Sequence, residues 1–205
     1  MAFRLTQITA AMTISVLILV AATGTVRADG ASAVVESFQS SLLDVMKIAE
    51  TSTIRQRYDK LAPTIENSFH VPLMTQIATG RHWSTAQPSD KTKLVSAFRR
   101  MSISTLATLF DGYSGERFEV IGERPGPSKT TIVSTNIVKS DNSKVSIAYV
   151  ARKFSGKWRL IDIVVDSGIS ELKVRRSEYN QVLKKSGVPG LIALLNGKAD
   201  DLMSE

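Results

Sequence analysis

The chain has 205 residues, is 43% hydrophobic and 22% charged, and carries a formal net charge of +7. That length suits one domain with extensions, and the apolar fraction is high enough to exclude intrinsic disorder. With no cysteine, disulfides, cysteine-ligated zinc, iron–sulfur clusters, a thiol nucleophile and an N-terminal lipid-modified cysteine are all excluded.

Residues 1–28 read as an export segment. Arg4 supplies a short positive region, Ile8 to Ala22 is almost wholly apolar, and Val26-Arg27-Ala28 offers small residues for cleavage after Ala28. This order marks a secretory signal peptide. The competing reading is a retained anchor, because Leu5 to Val26 is uncharged and nearly spans the roughly 20 residues that a bilayer requires. The short apolar core and its small-residue exit favour cleavage. Removal takes Arg4 and Arg27 and no acid, leaving 177 residues with 24 bases and 19 acids, a charge of +5. An exported chain of this size without disulfides is held by its core alone. Its bases are scattered along the sequence without an aromatic stripe, so nucleic acid is not an expected partner.

Residues 29–205 show no internal repeat or linker and read as a single domain. From Ala31 to Glu50, apolar residues at Val34, Val35, Phe38, Leu42, Val45 and Met46 fall in steps of three and four, an amphipathic helix. The period continues through Ile54, Tyr58 and Leu61 until Pro63 interrupts or restarts it. Leu73 to Ala78 is a short helix punctuated by Pro72 and Gly80. Pro88 opens the longest helix of this part, which runs to Asp111-Gly112. Its surface around Met101 is apolar over more of its circumference than a surface helix requires, so it should meet a second apolar layer.

The period then changes. Arg117 to Gly122 alternates, Glu123 to Ser128 reads as a turn, and Thr130 to Val138 is rich in β-forming residues. Val145 to Phe154 and Trp158 to Val165 form a hairpin about Ser155-Gly156. A two-residue turn sets Phe154 opposite Lys157, and with regular pairing Ala151 opposite Leu160, Tyr149 opposite Asp162 and Ile147 opposite Val164. The last six of these would share one face with Val145 and Trp158. Antiparallel strands with one apolar face need a cover, which the helices supply. A helix through Leu172, Tyr179, Val182 and Leu183 follows, broken at Gly187-Val188-Pro189-Gly190, and a last helix starts at Leu191.

No catalytic set emerges. His70 and His82 lie in no metal-binding spacing, and there is no Gly-x-Ser-x-Gly elbow and no phosphate-cradling glycine loop. Asp111, Glu116 and Glu119 read as a solvated rim. No cofactor or metal is expected. Asp162 is the polar residue that needs explaining: on the apolar face it must be paired or hydrogen-bonded, and a structural bond from Tyr149 or an arginine is the expectation. A hydrolase or isomerase on an NTF2-like scaffold would instead use Asp162 among convergent polar groups.

Gly80-Arg81-His82-Trp83, Pro88 and Ala97-Phe98-Arg99-Arg100 resemble the central signature of the MlaC-like proteins, also called toluene-tolerance auxiliary proteins. Tyr113-Ser114-Gly115-Glu116 with Phe118-Glu119-Val120 resembles their helix-to-strand junction. Tyr149, Gly156-Lys157-Trp158-Arg159, Asp162, Val165 and Gly168-Ile169-Ser170 resemble their last hairpin, and Arg176-Ser177-Glu178-Tyr179 their following helix. Phe110-Asp111-Gly112-Tyr113 running into Ser114 to Phe118 resembles the hopanoid-associated HpnM branch.

This resemblance spans roughly residues 32–195. It implies an α+β fold: helices on a twisted antiparallel sheet of about four strands, with an apolar cavity between them. It also implies a non-catalytic periplasmic carrier of phospholipid or hopanoid, serving an inner-membrane transport complex and an outer-membrane partner. A membrane-anchored interaction subunit of such a complex is the alternative. The cavity lining would come from Phe98, Met101, Leu106, Phe110, Tyr113, Phe118, Val120, Ile147, Tyr149, Trp158, Leu160 and Val164, with Arg99 or Arg100 near a phosphate or a partner.

Overall fold

The computed structural model describes residues 30–165 and 168–204. The export segment read at 1–28 lies outside the described residues.

Helix α1 (Ala31–Met46) buries Val35, Phe38, Leu42 and Val45 on one stripe. It stops short of the expected Glu50, and a 3₁₀ turn (Ala49–Thr51) follows. Thr53 forces this break by capping α2 (Ile54–Ser68). Its hydroxyl accepts from the Gln56 amide at 3.2 Å, while the Gln56 side chain accepts from the Thr53 amide at 2.8 Å. Helix α2 continues through Pro63 rather than breaking there. The carbonyl that loses its helical donor belongs to exposed Asp59, and the buried Leu61 and Ile65 hold the helix to the core on either side of the proline.

Helix α3 (Val71–Thr79) carries Pro72 in its first turn and ends at Gly80, whose φ of 56° favours glycine. The short α4 (Arg81–Thr85) was not anticipated, being one turn too brief to show a period. Helix α5 (Pro88–Leu109) buries Leu94, Ala97, Phe98, Ile103 and Ala107.

Five strands form an antiparallel meander in chain order: β1 (Arg117–Pro125), β2 (Thr130–Val138), β3 (Lys144–Phe154), β4 (Lys157–Val165) and β5 (Ile169–Ser170). The sheet is one strand larger than expected, because the two residues of β5 are too few to alternate visibly. The turn read at Glu123 to Ser128 is displaced: β1 continues to Pro125, paired with Thr131. At this edge position the missing proline N–H breaks no ladder bond.

The β3–β4 hairpin turns at Ser155-Gly156, with φ of 46° and 82°, the left-handed pair of a type I′ turn. Pairing follows the expected register from Phe154–Lys157 to Ala151–Leu160, and there it shifts. Ile161 is an extra residue, so Val150 faces Asp162, Tyr149 faces Ile163, Ala148 faces Val164 and Ile147 faces Val165. The expected oppositions of Tyr149 to Asp162 and Ile147 to Val164 are therefore wrong, because a β-bulge moves every later side chain to the other face. The bulge is tied to the helices: the Leu160 carbonyl accepts from the His70 amide at 2.9 Å.

Helix α1 lies across β1 to β4, and α5 packs behind it on α2, α3 and α6 (Glu171–Met203). The wide apolar surface of α5 thus meets a second helical layer. Helix α6 is bent at Gly187, where φ 63° and ψ −168° interrupt the helical backbone at the expected break.

Candidate functional site

A cavity of about 230 Å³ opens between the helices and the sheet. Its floor is the face where Ile147 and Tyr149 of β3 lie opposite Val165 and Ile163 of β4. Helix α5 supplies one wall with Phe98, Ser102, Thr105, Leu106 and Leu109, a single stripe at helical spacing, and Phe110 at its C-cap extends it. Phe38 and Leu42 of α1, Ile65 of α2, Phe69, and Val71 and Met74 of α3 close the far end. There Phe38 stands edge-on to both Phe69 and Tyr149, with ring centroids 4.9 and 6.0 Å away. Leu109, 67% exposed, carries the apolar surface to the outside, and Glu171 and Arg175 are the charged residues of the lining.

Among the polar residues of the lining, Thr105, Tyr149 and Arg175 are hydrogen-bonded within the protein. Thr105 donates to the Met101 carbonyl at 2.8 Å. Gln39, itself buried, donates to Thr135 at 3.1 Å and to the Tyr149 hydroxyl at 3.4 Å, joining α1 to β2 and β3. Burial pushes the Tyr149 phenol up to about 12, despite the Gln39 bond.

Of the twelve expected lining residues, Phe98, Leu106, Phe110, Ile147 and Tyr149 line the cavity. Met101, Phe118, Val120 and Trp158 pack on the core elsewhere, and Leu160 is fully buried in it. Tyr113 is exposed, with the Lys47 ammonium 5.7 Å from its ring centre. Val164 belongs to the opposite sheet face from Ile147, and the bulge puts Ile163 and Val165 in its place. Phe38 and Leu42 on α1 were legible as part of an apolar face, but nothing in their spacing separates a cavity wall from packed core.

Asp162 does not meet Tyr149. Its carboxylate accepts from Ser170 Oγ at 2.6 Å and from the amides of Ile163 and Leu172 at 2.9 and 3.2 Å. Ser170 in turn caps α6, accepting from the Lys173 amide at 3.1 Å. These bonds pin the start of α6 to β4. Arg99 and Arg100 are likewise absent from the cavity. Arg99 pairs with Glu66 of α2, and Arg100 with Asp200 of α6 at 2.5 Å, so the two arginines strap α5 to its neighbours.

The acidic stretch after α5 is also dispersed. Glu116 accepts from the Ser114 amide at 2.6 Å. Glu119 is bridged by Lys144 and Arg117, which hold its carboxyl below the ordinary carboxylate range, Lys144 foremost. His70 accepts from the Leu73 amide at the start of α3, and its ring lies 4.0 Å from that of Phe154. Among the described residues, no three metal-ligating groups converge.

A solved structure with the same fold is the phospholipid-binding protein from Ralstonia solanacearum in complex with a phospholipid. The two chains are 21% identical and superpose with a TM-score of 0.74, over 84% of this chain and 98% of that one. The pattern of the family described as MlaC protein matches residues 36–197, about four-fifths of the sequence. The chain belongs to the MlaC family.

Proposed function

We propose that this protein is a non-catalytic lipid carrier that takes acyl or polycyclic hydrocarbon into the cavity between α5 and the sheet. The observation that carries the reading is the cavity itself, whose walls are built mainly from apolar side chains of seven elements, α1, α2, α3, α5, α6, β3 and β4. Family membership and the phospholipid bound to the Ralstonia solanacearum protein support it.

A two-chain lipid exposes about 30 methylene groups, each costing roughly 0.8 kcal/mol in water, so an unaided aqueous crossing costs on the order of 20 kcal/mol. A carrier supplies comparable apolar contact and needs no covalent chemistry. The 230 Å³ cavity is smaller than the roughly 300–1,000 Å³ of pockets that enclose small molecules. Taking in two chains therefore requires α5 and the sheet to part, and closing behind the departing lipid assists release into a bilayer.

In the full reading, the chain is exported, cleaved after Ala28 and shuttles through the periplasm. There it serves an inner-membrane transport complex and an outer-membrane partner, with a hopanoid or a phospholipid as cargo. The test is organic extraction and mass spectrometry of the purified mature protein. Stoichiometric lipid is expected, its mass distinguishes hopanoid from phospholipid, and a lipid-free protein overturns the carrier. N-terminal sequencing is expected to start at Asp29, and retention of residues 5–26 would overturn free shuttling.

A further inference from the structure

A second concavity lies on the other side of α6. It measures about 530 Å³ and is formed by the α3–α4 corner and the first turns of α6. Arg81, His82, Lys173, Arg176 and Lys184 line it together with the neutral donors Ser177 and Asn180, and no carboxylate does. Bases that are scattered in the sequence thus converge: four permanent cations share one cleft, and none of the four has an ion-pair partner among the described residues. The two motifs Gly80-Arg81-His82-Trp83 and Arg176-Ser177-Glu178-Tyr179, a hundred residues apart, contribute most of it.

The cleft is arranged around Arg176. Its guanidinium lies against the backbone of Gly80, with Nη2 2.9 Å and Cζ 3.2 Å from where a side-chain carbon at position 80 would stand. Glycine, at φ 56°, is the residue that allows this approach. Beside it, the Nε2 of His82 is shielded from solvent and has no hydrogen-bond partner among the described residues. Like charges gathered in a concave site repel one another and focus a positive potential outward, and an anion relieves both effects.

We propose that this cleft binds a phosphate-bearing anion, at a site separate from the apolar cavity. Phosphate matches the donor set. A guanidinium fork holds two of its oxygens at once, and lysine ammoniums neutralise the second charge. The volume lies within the roughly 300–1,000 Å³ range of small-ligand pockets. A concave cleft admits a discrete group, whereas a bilayer surface would meet a flat or convex one. The phosphate belongs either to a soluble phosphate compound or to a single lipid headgroup.

Sodium pyrophosphate titrated into the purified mature protein, followed by amide NMR shifts at constant ionic strength, tests the proposal. Saturable binding localised to residues 79–82 and 173–184 is expected. The double variant Lys173→Gln/Arg176→Gln, checked for folding by circular dichroism, should bind at least about tenfold more weakly, the contribution of one charge-assisted hydrogen bond. Lys60→Gln, an exposed lysine on α2 outside the cleft, should leave affinity unchanged. Absence of saturable shifts, or an equal loss in Lys60→Gln, overturns the site. Vesicle flotation separates the sources. Pyrophosphate-sensitive adsorption to phosphatidylglycerol vesicles, lost in the double variant, assigns a headgroup, and pyrophosphate binding without adsorption assigns a soluble compound. Neither arm depends on whether the apolar cavity carries lipid.

Discussion

Asp162 joins β4 to the start of α6, and its removal has a calculable cost. Asp162→Ala deletes three accepted hydrogen bonds, from Ser170 Oγ and from the Ile163 and Leu172 amides. Bonds to a charged acceptor contribute about 1.5–3 kcal/mol each when dry. Asp162 is only half-buried, so the low end of that range applies, giving a loss of about 4–5 kcal/mol. At about 2–4 °C per kcal/mol for a chain of this length, the Tm falls by roughly 10 °C.

Asp162→Asn separates geometry from charge. Its remaining oxygen keeps both amide bonds, and its NH₂ group donates to Ser170 Oγ, which has a second lone pair free beside the Lys173 bond. That variant should lose only about 1 kcal/mol. Urea denaturation followed by far-UV circular dichroism measures both, and a double cycle with Ser170→Ala should show coupling of about 1 kcal/mol. Asp162→Ala within about 0.5 kcal/mol of the parent would refute the account, as would an Asn variant as unstable as the Ala one.

Tyr149 ionises near 10 when unfolded and about 12 when folded. Its neutral form is common to both states below pH 10, so stability should hold there and fall by about 1.4 kcal/mol per pH unit between 10 and 12. Tyr149→Phe should remove that contribution in alkaline denaturation, leaving a separate one in the same direction from Tyr179, whose phenol burial also raises. Ser102→Trp sets an indole into the 230 Å³ cavity. Extractable lipid should drop several-fold while the thermal transition persists, and an undiminished lipid load would remove this cavity as the cargo site. Gly187→Ala forces a β-carbon onto φ 63° and ψ −168°, costing about 1–3 kcal/mol by thermal melting. An unchanged Tm would mean that the bend in α6 relaxes without it.

Local chemistry decided the element types and most of their ends. Three-and-four spacing marked α1 and α5, Pro72 and Gly80 bracketed α3, Ser155-Gly156 set the hairpin turn, and Gly187 broke α6. The resemblance read from short motifs reached the right family for the same reason, since motif order is a property of the chain alone. Tertiary structure decided what the apolar faces do. The bulge at Ile161 sits beside the bond from the His70 amide to the Leu160 carbonyl, a partner ninety residues away. That one inserted residue exchanges Val164 for Ile163 and Val165 in the cavity floor. Hydrophobic periodicity reports which side of an element avoids water. It carries no information on whether another side chain or an open space lies opposite, so Leu160 and Ile147 look alike in sequence although one is core and the other cavity wall. Charge behaves in the same way. The bases appear scattered along the chain, and only the packing of α6 against the α3–α4 corner gathers four of them into one cleft, because proximity in space is set by the fold and not by spacing in sequence.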